Sequence, residues 1–201
     1  MRWRPILVAG AALGAALWLT GWVLSHFVDL ATNRGLLGLT EGQARALLNP
    51  GILLLLPVAW VFRKAQAGRD GNLGTAGLWL QTIGLILLLI GNFLEYGWWD
   101  NRITAFGYAV MAVGVLPLTV GWFLSGISAL RVGALPSWLA ALPLAISTLL
   151  PLSLLTGLTS AELATRQPAF ERLLMGMGLG WLALSVGVFL VTSRKPLMLA
   201  E

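Results

Sequence analysis

The chain has 201 residues, of which 58% are hydrophobic and only 10% charged, and it contains no cysteine. A water-soluble domain carries about a quarter of its residues as charge, so this balance belongs to a lipid-embedded chain; the lack of cysteine excludes disulfides, thiolate metal sites, iron–sulfur clusters and thiol nucleophiles. The formal charge of +5 is spread thinly between apolar runs and forms no dense patch, which argues against a nucleic-acid partner and makes the basic residues markers of topology.

At about 20 apolar residues per crossing, the length holds six helices and leaves no separate soluble domain. The long apolar runs fall near 5–27, 46–62, 75–97, 105–130, 136–158 and 171–192, so the predicted fold is an all-α polytopic membrane helix bundle with short loops. The first span opens on Met1-Arg2-Trp3-Arg4-Pro5, the basic start of a signal peptide, but its apolar run exceeds the usual core of about 7–15 residues. Asp29 also stands where a cleavage site wants a small residue, so the segment reads as an uncleaved span. His26, the only histidine, ends it and cannot build a metal site alone, since that needs three or four ligands.

Thr40-Glu41-Gly42-Gln43 has the spacing of a capping box, and it predicts a short surface helix over 41–48 that breaks at Asn49-Pro50. Thr159-Ser160-Ala161-Glu162 repeats that spacing. The second span is the shortest, because the run from Gly51 to Phe62 crosses only with the help of residues 46–50. Asp70-Gly71-Asn72 is a turn signal before span three.

Span three carries Gly77, Gly84 and Gly91; span four carries Gly107, Gly114 and Gly121. A seven-residue repeat drifts only about 20° per step on a helix of 3.6 residues per turn, so each triplet forms a nearly straight groove. Lipid tails are as apolar as leucine, and helices associate in them through close backbone packing. The two grooves therefore predict spans three and four packed antiparallel. Gly10 with Gly14 and Gly176 with Gly180 add small-residue pairs in the first and last spans, which suit packing within the chain or against another subunit.

Lysine and arginine concentrate on the cytoplasmic side of short loops. With the N-terminus inside, that side collects Arg2, Arg4, Arg63, Lys64, Arg69, Arg131, Arg194 and Lys195. The other side holds Arg34, Arg45, Arg102, Arg166 and Arg172, nearly matched by Asp29, Glu41, Asp100, Glu162 and Glu171. The bias predicts an even number of spans with both termini cytoplasmic. Small size and minimal loops point to a bacterial inner membrane.

Four residues beyond Gly91, Glu95 lies on the glycine face and is directed at protein, which makes it a candidate functional carboxylate. Tyr96, Trp98 and Trp99 next to it have the character of an interfacial aromatic belt, under which Glu95 is simply wet. If Glu95, His26, Asn49, Asn92 and Tyr96 converge, they form a polar pocket at the outer face. Pro57, Pro117, Pro143 and Pro151 each remove a helical hydrogen bond and mark kinks in spans two, four and five. Ser147, Thr148, Ser153 and Thr156 are available to satisfy the freed carbonyls or to line a path. Trp18, Trp79, Trp122 and Trp181 fall deeper in their spans, suited to filling helix interfaces or to stacking on a flat pigment or quinone.

No nucleophile with a base, no paired carboxylates and no metal cluster stand inside the spans, so no catalytic residue and no metal or cofactor site are evident. The expected partners are the lipid bilayer and other membrane subunits or further copies of the chain. The reading this favours is a non-catalytic accessory or scaffold subunit that packs against membrane helices, lipid or pigment. The alternative is a small-solute or ion transporter or channel using the kinked spans and Glu95.

Overall fold

An apolar run in hydrocarbon has no water to bond its amides, and coiling into a helix satisfies them within the run. The computed structural model describes residues 4–28, 32, 34–66, 69, 71–96, 104–159 and 168–194. The described residues are almost wholly helical: α1 (Arg4–His26), α2 (Glu41–Ala46), α3 (Leu48–Ala65), α4 (Gly71–Tyr96), α5 (Thr104–Val132), α6 (Ser137–Thr159) and α7 (Pro168–Arg194). Five stretches are long and apolar enough to cross a membrane: Ile6–His26, Glu41–Ala65, Gly71–Tyr96, Phe106–Val132 and Arg172–Val191. That is the make-up of a multi-pass membrane protein. In α6 the described apolar stretch, Ser137–Ser153, is shorter.

The second crossing differs from its expected bounds of 46–62, because α2 and α3 run together through Leu47, whose φ of −63° and ψ of −20° are helical. α2 gives way to α3 at Leu47, and no break occurs at Asn49-Pro50, which lie inside α3. Pro50 is the third residue of α3, where the amide has no intrahelical partner to lose. The Thr40 hydroxyl accepts from the Gln43 amide at 3.2 Å and the Gln43 side chain accepts from the Thr40 amide at 3.0 Å, a complete capping box. We expect Thr40→Ala to weaken α2 by about 1 kcal/mol. Hydrogen exchange over 43–46 should quicken while α4 stays protected; unchanged exchange there would mean the cap holds nothing. The second such motif, Thr159 to Glu162, reaches beyond the described residues.

The long helices close into a ring in the order α1, α3, α4, α5, α6, α7 and back to α1, with α2 lying across α1, α3 and α4 at one end. We refer to this as the α2 end; it also carries His26, Tyr96 and the start of α5. α3 also contacts α7, and a separate small void of about 10 Å³ lies among Val8, Phe62 and Val188, toward the Arg63 end.

The tightest pair in the ring is α4 with α5. A Cβ added to Gly91 would lie 2.6 Å from the Gly107 carbonyl oxygen, and one on Gly107 2.7 Å from that of Gly91. Gly121 stands against the Gly77 carbonyl at 2.8 Å, and Gly84 against the Leu118 backbone at 2.6 Å. The six glycines thus run antiparallel along one seam. Gln81, buried in it, donates to the Gly121 carbonyl at 3.0 Å and the Ser125 hydroxyl at 2.5 Å. The opposite face of α4 exposes Ile83, Ile86, Ile90 and Phe93. Large apolar side chains outside and glycines inside are the arrangement of a helix packed in lipid.

Elsewhere the ring is also closed by glycine. Gly14 of α1 meets Gly51 of α3, and Gly180 of α7 meets Ile146 of α6, whereas Gly10 has nothing within 4 Å. Gly133, with φ of +62°, ends α5 in the left-handed conformation that a side chain resists, and the short turn after it makes α5 and α6 antiparallel neighbours.

Candidate functional site

A cavity of about 110 Å³ occupies the α2 end of the ring, several times the roughly 10–15 Å³ that one water needs. Every helix contributes to it. Arg45, Asn92, Glu95, Tyr96, Tyr108 and Ser153 give it a polar rim, while Trp18, Leu48, Ile52, Leu88, Met111, Val115, Leu150 and Leu174 form apolar walls. Leu88 lies eight residues before Tyr96, so the cavity reaches about 12 Å down the helix axis.

The rim is organised around Arg45, which sequence reasoning had assigned only to the loop charge balance. Its Nε donates to the Ser25 hydroxyl at 3.1 Å, one Nη donates to the Tyr96 hydroxyl, and the other pairs with Glu41 at 2.5 Å. The guanidinium also lies 5.1 Å from the Trp22 ring centroid and 5.2 Å from that of Tyr96. A delocalised, weakly hydrated cation between aromatic faces is a favourable use of arginine in a partly dry site. One side chain therefore joins α1, α2 and α4.

Asn49 and Asn92 meet beside it. The Asn92 amide donates to the Asn49 side-chain oxygen at 2.9 Å and reaches the Arg45 carbonyl at 3.4 Å. Asn92 is buried, and the bond ties α3 to α4 just below the rim. Glu95 follows on the same face of α4 and lines the cavity; one of its carboxylate oxygens is buried and has no hydrogen-bond partner among the described residues. Of the five residues expected to converge, Asn49, Asn92, Glu95 and Tyr96 do so. His26 does not line the cavity: its ring packs edge-to-face on Phe27 at 5.3 Å. It sits one residue, or about 100°, round the helix from Ser25, which faces inward.

Trp18 builds the wall between α1 and α7. Its indole N–H donates to the Leu174 carbonyl at 2.9 Å, and its ring meets Trp181 edge-on at 5.1 Å. Gly178 makes the space, since a Cβ there would come within 2.9 Å of the Trp18 ring. Trp122 and Trp181 are wholly buried. Trp79 is not interior: it is 55% exposed and pairs with Trp60 on the outside of the ring.

Pro57, Pro117, Pro143 and Pro151 each lie inside a continuous helix. The carbonyls freed by Pro143 and Pro151 belong to Leu139 and Ser147, four residues earlier. Ser147, Thr148 and Ser153 instead donate to the carbonyls of Leu144, Ala145 and Leu150, three residues back at 2.7–2.8 Å. Their hydroxyls are folded onto their own helix, and of these three only Ser153 reaches the cavity wall.

A stripe at helical spacing held the missed part of the site. Trp18, Trp22 and Ser25 follow one another at four and three residues on α1, and Glu41, Arg45 and Asn49 at four and four on α2 and α3. Both are polar-aromatic faces on otherwise greasy segments. No protein-family profile, curated protein or solved structure matches the chain.

Proposed function

We propose that this is a six-span membrane protein with both termini cytoplasmic, acting as a non-catalytic scaffold that holds an amphiphile in a pocket open to the outer leaflet. The observation that carries this reading is the cavity itself. Its polar rim sits where the helices end, its apolar walls extend inward, and pockets of this make-up bury an apolar body while a few polar groups fix its orientation. The basic bias in the loops supports the sidedness, because it places the Arg63 end in the cytoplasm and the rim outside.

Against a channel or transporter stand the separation of the cavity from the small void toward the Arg63 end, about 10 Å³, and the folded-back hydroxyls of Ser147, Thr148 and Ser153 in α6. A conduit would need a wet, polar-lined path through that half of the bundle. The cavity instead stops in leucine, isoleucine and tryptophan.

The test is to fill the pocket. Ala112 of α5 lines it, and Ala112→Phe should place a ring in the space one turn below Tyr108. Protein purified in mild detergent should carry a bound lipid or other amphiphile visible by native mass spectrometry. The variant should lose at least about 90% of it while keeping its melting temperature. Equal occupancy in both proteins, or solute movement by the wild type in liposomes that the variant abolishes, would overturn the scaffold reading.

A further inference from the structure

Resting on the pocket reading above, we infer that the occupant's head group is a primary ammonium, received at the rim by Glu95. The rim's one guanidinium and its buried amide are already engaged. Arg45 serves Ser25, Tyr96 and Glu41, and the Asn92 amide serves Asn49. An anionic head group would find no uncommitted arginine, and it would approach two carboxylates, Glu41 and Glu95, set against one guanidinium.

The Glu95 carboxylate has Tyr96 as one hydrogen-bond partner, and its second oxygen has none among the described residues. The Glu95 oxygen without a partner is a strong acceptor, enclosed at the top of an apolar cavity, and leaving such a group unmet in a dry site costs free energy that a ligand can recover. An ammonium supplies both the hydrogen bond and the second positive charge that balances the rim. The Tyr108 side chain, also at the rim, offers a ring to the same cation. Below them Leu88, Met111, Val115 and Leu150 take an alkyl chain. The occupant is therefore a single-tailed or slender amphiphile with an amine head, and a fatty acid is excluded by the same geometry.

Three probes with one tail decide this: dodecylammonium, dodecanol and dodecanoate, titrated into the full-length protein in maltoside micelles and followed by calorimetry. Dodecylammonium should bind at least tenfold more tightly than either of the others. Glu95→Gln, which keeps the shape and removes the charge, should bring it down to the affinity of dodecanol. Three equal affinities, a preference for dodecanoate, or an ammonium preference that survives Glu95→Gln would overturn the head-group assignment while the pocket reading stands. Binding of none of the three would overturn both. The comparison of head groups on the wild type needs no variant to fold.

Discussion

Leucine at Gly91 or at Gly107 should prevent α4 and α5 from docking, whereas leucine at Gly10 should be tolerated. The contrast follows from where a side chain would go. At Gly91 the first carbon already meets the Gly107 carbonyl oxygen at 2.6 Å and the Met111 side chain; at Gly107 it meets the Glu95 amide nitrogen at 2.6 Å. These neighbours are largely backbone held in two long helices, which cannot yield by the several tenths of an ångström required. Overpacking a soluble core costs about 1–3 kcal/mol, and more where nothing can relax. In lipid the loss is compounded, because close packing is itself the attraction between helices. Gly10, with nothing within 4 Å, faces open space. Thermal unfolding of detergent-purified protein is the measurement: the two seam variants should melt at least about 10 °C lower or fail to purify as monodisperse protein, and Gly10→Leu should match the wild type. Seam variants as stable as Gly10→Leu would show that the glycine grooves do not hold the pair together. Alanine at Gly91 provides a graded case, with a smaller drop in the same direction.

What could be read from the chain beforehand tracks how local each signal is. The glycine seam was legible because its period is written into two single helices, and a seven-residue repeat fixes a face without knowledge of any partner. The same holds for the α2 cap, where Thr40 and Gln43 are three residues apart, and for Asn92, Glu95 and Tyr96, which share one side of α4. Arg45 was not legible as a centre. Its partners Ser25 and Tyr96 lie 20 and 51 residues away, and nothing in a single segment announces that α1 and α4 will both reach α2. Counting basic residues by loop also spread attention evenly over charges that are not equivalent. His26 shows the converse error. Nearness to a membrane face was used where angular position decides, and one residue of rotation carries it away from the buried side where Ser25 meets Arg45. In the proline-rich α6 the hydroxyls of Ser147, Thr148 and Ser153 bond carbonyls of their own helix, a choice of partner that residue spacing alone does not reveal.

Arg45→Ala should be the most damaging substitution at the rim. The arginine is the sole cation among the described cavity-lining residues, its side chain is 17% exposed, and it connects three helices. Removing it takes a partner from the Ser25 hydroxyl, leaves Tyr96 with Glu95 alone, and uncovers two carboxylates that it had balanced. Breaking a largely buried, hydrogen-bonded ion pair by deleting one partner costs about 3–5 kcal/mol, because the remaining charge is left uncompensated. Arg131→Ala, on an exposed position near the end of α5, should change stability by less than about 0.5 kcal/mol. Lysine cannot replace Arg45: its compact ammonium retains the charge but neither the planar fork nor the stacking between Trp22 and Tyr96, so Arg45→Lys should recover less than half of the loss. If charge imbalance is the reason, Glu95→Gln added to Arg45→Ala should restore part of the stability, a gain that purely steric loss of the side chain does not predict. Melting temperatures of the four variants in one detergent separate these contributions. An Arg45→Ala protein as stable as Arg131→Ala would mean that the rim is held by its apolar walls alone and that Arg45 neither staples the helices nor sets the charge a ligand meets.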